Sequence, residues 1–180
     1  NLGVQVAGAD FVTFLDADDY FGPEYLMHVN PATCTDYNAV TYSKYFTRMT
    51  KKIHGHMSGH IVKDEGNTVL VDYSFRPFNR ELAMSRPKGD RPYIWAGVNV
   101  LLPKAWHHSI GGFDTSMDTW EDCDYLLKLA WKGYNFHMVE QPLWVYNYKE
   151  GTRRDVSVGN EKLLMRELQT KYDILFGRDN

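Results

Sequence analysis

Phe11-Val12-Thr13-Phe14-Leu15-Asp16-Ala17-Asp18-Asp19 is an apolar run that ends in three carboxylates within four residues. Five consecutive apolar or β-branched residues, with Gly8 upstream and Gly22-Pro23 downstream, predict a short strand over 11–15 that is buried on both faces. The acids then sit at its C-terminal end, the edge where open α/β sheets bind ligands. Carboxylates crowded there repel one another unless a hard cation such as Mg²⁺ or Mn²⁺ offsets their charge, and a metal-bound phosphate is the natural guest. Asp is also a common turn former, so the same four residues could simply cap a helix starting near Pro23.

Working outward, Leu2, Val6 and Ala7 share one side of a 3.6-residue period, which predicts the last turns of a helix packed on the sheet. A short helix is expected after Gly22-Pro23, with Tyr25, Leu26, Met27 and Val29 as its apolar side and Asn30-Pro31 as its stop. Residues 37–47 and 68–73 read as strands with a loop or hairpin excursion between them. His54, His56 and His60 lie in that excursion, and no Cys or acid at ligand spacing completes a zinc set, so they read as solvated residues. The cationic stretch 75–93, punctuated by Pro77, Pro87 and Pro92, reads equally as a solvated loop or as a source of Arg and Lys for a diphosphate. A strand over 93–103 follows, and Pro103 opens a short helix.

Gly111-Gly112-Phe113-Asp114 predicts a tight connection with backbone at positive φ. Trp120 to Gly133 reads as a helix with Glu121, Asp122 and Asp124 in its first turn, Leu126, Leu127, Leu129 and Ala130 inward, and Gly133 at its end. Residues 134–139 and 143–146 read as two strands separated by Gln141-Pro142. The helix over 161–175 would pack through Leu163, Leu164, Leu168, Tyr172 and Leu175.

Taken in order, the segment 1–19 with its D-x-D acids, the G-G-F-D turn and the W-E-D helix resemble the corresponding parts of family 2 glycosyltransferases. The resemblance covers most of 1–20 and 95–150. It implies a GT-A fold, that is, an α/β protein with a Rossmann-like mixed sheet flanked by helices. It also implies a nucleotide-diphosphate-sugar donor, a carbohydrate or other hydroxyl acceptor, and Mn²⁺ or Mg²⁺ as cofactor. On the family pattern, Asp16 and Asp18 take the D-x-D positions. Asp18 is the expected direct metal ligand, with Asp16 beside it and Asp19 as the competing ligand. Asp122 takes the position of the base that deprotonates the acceptor in inverting enzymes, and Glu121 is a second acid that orients the acceptor; Asp124 is expected to cap or solvate. Trp95 and Gly97 belong to a strand that in the family lies beside the donor sugar. The family often carries Y-R-x-H-x-x-S after its last strand, where this chain has Tyr146-Asn147-Tyr148-Lys149-Glu150-Gly151-Thr152. Lys149 stands at the His position; it cannot ligate a metal but can neutralise a diphosphate, unless Arg153 or Arg154 takes that role.

With 180 residues, 43% of them hydrophobic, the chain reads as one domain over 1–180, with 37–92 a variable acceptor-side insertion and 159–177 a C-terminal helix. A net charge of −3 gives no general attraction to nucleic acid. Two cysteines, Cys34 and Cys123, make no disulfide scaffold, and no apolar run reaches the roughly twenty residues a membrane helix needs, so a cytoplasmic location is expected. The chain starts at Asn1 inside a helix, which reads as a GT-A domain lacking its N-terminal nucleotide-binding half, and the strand at 11–15 would then expose an apolar edge through which copies could associate. Two other readings use the same residues: a non-catalytic carbohydrate-binding or assembly module on this scaffold, and a sugar nucleotidyltransferase, which would need a Gly-rich, Lys-containing N-terminal loop that is not seen.

Overall fold

The computed structural model describes residues 1–30, 39–56, 59–73, 77–78 and 99–151 and, near the C-terminus, 163–164, 166–168 and 170–171. Trp95, Gly97, most of the basic stretch 75–93, Arg153, Arg154, Tyr172 and Leu175 lie outside the described residues.

Two long strands form the spine. β3 (Ala39–Thr50) and β7 (Asn135–Asn147) run parallel, and β2 (Tyr20–Phe21), β4 (His60–Asp64) and β5 (Thr68–Asp72) add antiparallel neighbours to give the order β2-β7-β3-β5-β4. A parallel pair at the centre needs cover on both faces, and the Val, Thr and Tyr residues at the start of β3 are buried accordingly. The first of the strands expected between 37 and 73 thus lies at the centre of the sheet as β3, and β4 and β5 pair as a hairpin at its edge. His54 is not on a strand: it ends the helical turn α3 (Lys51–His54), whose Thr50 cap accepts from the Ile53 N–H.

The two strands expected over 134–139 and 143–146 form a single strand, Asn135–Asn147. The register to β3 shifts around Ser43, Lys44 and Tyr45, where Pro142 is placed, so the proline sits in a bulge that needs no ladder N–H from it.

The strand predicted at 11–15 is shorter and more exposed than its composition suggests. β1 spans Phe11–Val12 and pairs antiparallel with β6 (Leu102–Pro103); Val12 is buried, but Phe11 and Leu15 are exposed. It lies outside the main sheet, so only alternate side chains meet the core. β6 is tied back to β3 by an antiparallel bridge between Leu101 and Thr41.

The helices bury fewer residues than their apolar content. In α1 (Leu2–Val6) the buried side chain is Val4, with Ala7 packed beside it, while Leu2 and Val6 face outward. α2 (Tyr25–Val29) uses Tyr25 and Val29, four residues apart, and leaves Leu26 and Met27 exposed. A five-residue helix has room for one buried stripe, and the sheet selects which.

The helix after the tight glycine turn matches its prediction closely. α5 (Glu121–Trp131) follows α4 (Lys104–Ser109); its Tyr125, Leu126 and Leu129 are fully buried in one cluster with Val40, Tyr42, Val100 and Leu102, and Ala130 is fully buried as well. Burial of each large side chain contributes about 1.5–3 kcal/mol. Gly133 at φ 90° ends it: its N–H donates to Ala130 O and the Tyr134 N–H to Leu129 O, the two bonds of a Schellman cap.

Candidate active site

The acid run is a tight turn. The Asp19 N–H donates to Asp16 O at 3.0 Å, closing the backbone over Ala17 and Asp18, so that Asp16, Asp18 and Asp19 share one turn. The chain then enters β2, whose pairing with β7 delivers the turn to the end of that strand. There the Asn147 N–H donates to Asp19 Oδ1 at 2.8 Å, the Asn147 side-chain amide donates to Asp18 O, and Lys149 Nζ lies 3.1 Å from Asp18 Oδ2. Lys149, placed by family pattern alone, does reach the acid turn.

The carboxylates are not equivalent. Asp18 is exposed and salt-bridged, whereas Asp19 is buried, and its Oδ2 has no hydrogen-bond partner. Burial pushes the Asp19 carboxyl up to about 6; the Asn147 N–H works against this, and the charges of Asp16 and Asp18 add to it.

The second acid pair stands on the first turn of α5. The residue before it, Trp120, is the one non-glycine at positive φ among the described residues (φ 64°), a strained conformation that sets where the helix begins. Burial pushes the Asp122 carboxyl above the usual carboxylate range, the Cys123 N–H donating to its Oδ1 at 2.8 Å pulls it back, and the charges of Glu121 and of Asp16 raise it further. Asp16 thus acts electrostatically on both Asp19 and Asp122, although more than a hundred residues separate it from the latter.

What brings the two acid groups together is aromatic. Phe14, two residues before Asp16, meets Phe113 and Tyr125 edge-on at 5.0 and 5.6 Å, and Phe113 stacks on Tyr125 at 4.2 Å. Tyr125 is three residues beyond Asp122 and shares a 3.0 Å hydrogen bond with buried His107 Nδ1, so one ring from each motif joins a single cluster. Sequence reading placed Phe14 in the apolar run and Phe113 in the glycine turn, and gave Tyr125 no role. Their one signal was that each falls within three residues of a motif glycine or acid.

The glycine turn fits this cluster tightly. Gly111 and Gly112 have φ of 75° and 70°, and a Cβ on Gly112 would collide with the Asn1 side chain and lie 2.8 Å from His107 Nε2, whereas one on Gly111 meets open space. Gly112→Ala should cost about 2–3 kcal/mol and Gly111→Ala about 1 kcal/mol, read by thermal or urea unfolding. Equal costs would mean that φ alone matters here.

Asp124 corrects its sequence reading. It neither caps nor solvates, but is fully buried between Lys128 and Lys171, at 2.9 and 2.6 Å. Leu163, expected inward, is exposed, while Leu168 is buried.

Among the described residues, no three His, Cys, Asp or Glu side chains are gathered closely enough to hold an ion by themselves. The donor set still fits a hard divalent cation, because Mg²⁺-type sites use one or two carboxylates and take their other oxygens from substrate phosphates and water. The buried, unpartnered Asp19 Oδ2 beside two further acids is the observation that asks for positive charge.

A mixed five-stranded sheet flanked by helices, with one acid group in the turn before β2 and another on the first turn of α5, is a GT-A-like α/β fold. The sequence pattern of glycosyl transferase family group 2 matches residues 11–162, and the chain belongs to that family. No curated protein matches the chain. Among the described residues, no helix is long and apolar enough to cross a membrane.

Proposed function

We propose that this chain carries the acceptor-activating and metal-binding parts of an inverting glycosyltransferase, which moves a sugar from a nucleotide-diphosphate donor to an acceptor hydroxyl. The observation that carries the reading is the packing that joins the two acid groups: Phe14, two residues before Asp16, meets Phe113 and Tyr125 edge-on, and Tyr125 is three residues beyond Asp122.

Asp122 is the base. A sugar hydroxyl is a poor nucleophile, and a carboxylate within reach takes its proton as attack proceeds; desolvation makes Asp122 a stronger base than a solvated carboxylate. Glu121 orients the acceptor. Asp19 and Asp16 would hold the divalent ion, Mn²⁺ or Mg²⁺, with Asp18 alongside. This shifts the sequence-based preference from Asp18, because Asp19 is the acid with a buried oxygen to spare and Asp18 is engaged by Lys149. When bound, the ion offsets charge on the leaving diphosphate as a Lewis acid. Lys149 supplies positive charge to the same diphosphate by exchanging its Asp18 contact for a phosphate oxygen. Trp95 and Gly97 flank the donor sugar on the family pattern. A base facing the side opposite the leaving group inverts C1. Self-association through the β1 edge belongs to the same reading, and the exposure of Phe11 and Leu15 supports it.

A second reading is a non-catalytic carbohydrate-binding or assembly module, since among the described residues the acids do not by themselves gather into a closed ion site. Isothermal titration with UDP and Mn²⁺ separates the two. Binding at about micromolar strength, lost on chelation, is expected for the transferase; no heat with either component would favour the module.

A further inference from the structure

Two residues beyond the proposed base, Asp124 is fully buried, and its carboxylate is held from two directions. Lys128, one turn along α5, reaches Oδ2 at 2.9 Å, and Lys171, from the C-terminal segment, reaches Oδ1 at 2.6 Å. Both lysines are shared. Lys128 Nζ also donates to Gly112 O at 3.0 Å, and Lys171 Nζ to Asp114 Oδ2 at 2.6 Å. Asp114 is itself fixed by the N–H and hydroxyl of Ser116, and Lys171 and Ser116 together hold its carboxyl well below the usual range. Gly112 is therefore hydrogen-bonded directly to α5 through Lys128, and Asp114 is linked to Asp124 on the first turn of α5 through Lys171.

The charges balance, two acids against two lysines, which is the condition under which buried ions are tolerated. An apolar contact at this place would hold the helix less directionally. Charged hydrogen bonds of 2.6–3.0 Å resist the small rotations of α5 that would swing Asp122 away from the acceptor.

We propose that Lys171, acting through Asp124 and Asp114, is a positioning residue: it clamps the first turn of α5 to the glycine turn and so fixes the orientation of Asp122. The C-terminal segment is then part of the catalytic apparatus and more than packing. The functional half of this inference rests on Asp122 being the base; the mechanical half does not.

The test uses the full chain with Lys171→Met and Lys171→Arg, read by amide hydrogen exchange and by alkylation of the half-buried Cys123, next to Asp122, with N-ethylmaleimide, resolved from Cys34 by peptide mass. Lys171→Met should speed exchange over 112–124 and Cys123 alkylation by about fivefold or more, while β3 and β7 stay protected. Lys171→Arg, which can still bridge two carboxylates, should stay within about twofold of wild type. Where turnover of a UDP-sugar is measured, Lys171→Met should lower kcat by about tenfold and leave the donor KM unchanged. Should Lys171→Met not fold, Asp114→Asn weakens the same clamp without stranding a buried charge, and it should loosen 111–114 by about twofold or more. Faster exchange confined to 163–171, or an Arg variant as loose as the Met variant, would overturn the proposal. If wild type binds no UDP–Mn²⁺, the transferase reading falls, and the exchange data still decide the clamp.

Discussion

Asp122→Asn should lower acceptor-dependent sugar transfer by about 10²–10⁴-fold and leave the affinity for UDP with Mn²⁺ within about twofold. The amide keeps the shape of the carboxylate and can still accept from the Cys123 N–H, so the first turn of α5 stays in place. What is lost is the proton acceptor, and with it only an interaction made in the transition state. A second consequence follows from the charge balance. Asp122 and Glu121 are adjacent, and Asp122 feels Asp16 as well, so removing its charge relieves a repulsion. The variant should therefore unfold at the same temperature as wild type or slightly above it. Transfer assayed by release of UDP, beside calorimetric titration of UDP, checks both. If transfer survives at wild-type rate, Asp122 is not the base, and Glu121, its neighbour, takes its place.

Asp19→Asn should move stability and binding in opposite directions. The Asp19 carboxyl is pushed from 3.8 up to about 6, first by burial and then by Asp16 and Asp18. Because its pKa is higher in the folded chain than in the unfolded one, the folded state holds the extra proton between those values. Stability contributed by this group is thus present at low pH, falls as pH rises from about 4 to 6, and is fully lost above 6. The ceiling on that loss is about 3 kcal/mol. Asparagine carries no charge and keeps an oxygen to accept from the Asn147 N–H, but it places an amide where the unpartnered Oδ2 was. A net gain of about 1 kcal/mol at pH 7.5, shrinking toward pH 4, is expected in urea unfolding. Binding of UDP with Mn²⁺ should weaken by at least about tenfold in the same variant. In wild type that binding should decline as pH falls through about 6, when the carboxyl takes up its proton. A variant that binds UDP–Mn²⁺ normally would remove Asp19 from the ion site.

Much of the local structure could be read from residue order. Gly111 and Gly112 have the positive φ that two adjacent glycines suggest, Gly133 caps α5, and Leu126, Leu129 and Ala130 face the core as their spacing requires. These features depend on neighbours within about one helical turn, which is the range over which periodicity and turn chemistry act. Where the reading missed, the deciding contact was distant. Val4 rather than Leu2 or Val6 is buried because the sheet meets that side of α1. Pro142 bends β7 instead of ending it because β3 continues alongside. Asp124 has the local setting of a helix-start acid with a lysine one turn on, and Lys171, 47 residues away, adds the second cation that holds it in the interior.

The candidate site divides in the same way. The order of residues was enough to show which segments carry the acids, that the second group starts a helix, and that Lys149 departs from the family's histidine; the first group, expected at the end of a strand, lies in the turn that leads into β2. Only the tertiary structure decided that Asp16 bears on Asp122, that Asp19 rather than Asp18 is the buried acid, and that the rings of Phe14, Phe113 and Tyr125 hold the groups in one place. The reason is that desolvation and charge coupling belong to the neighbourhood of an atom in space, and along the chain these partners are about a hundred residues apart.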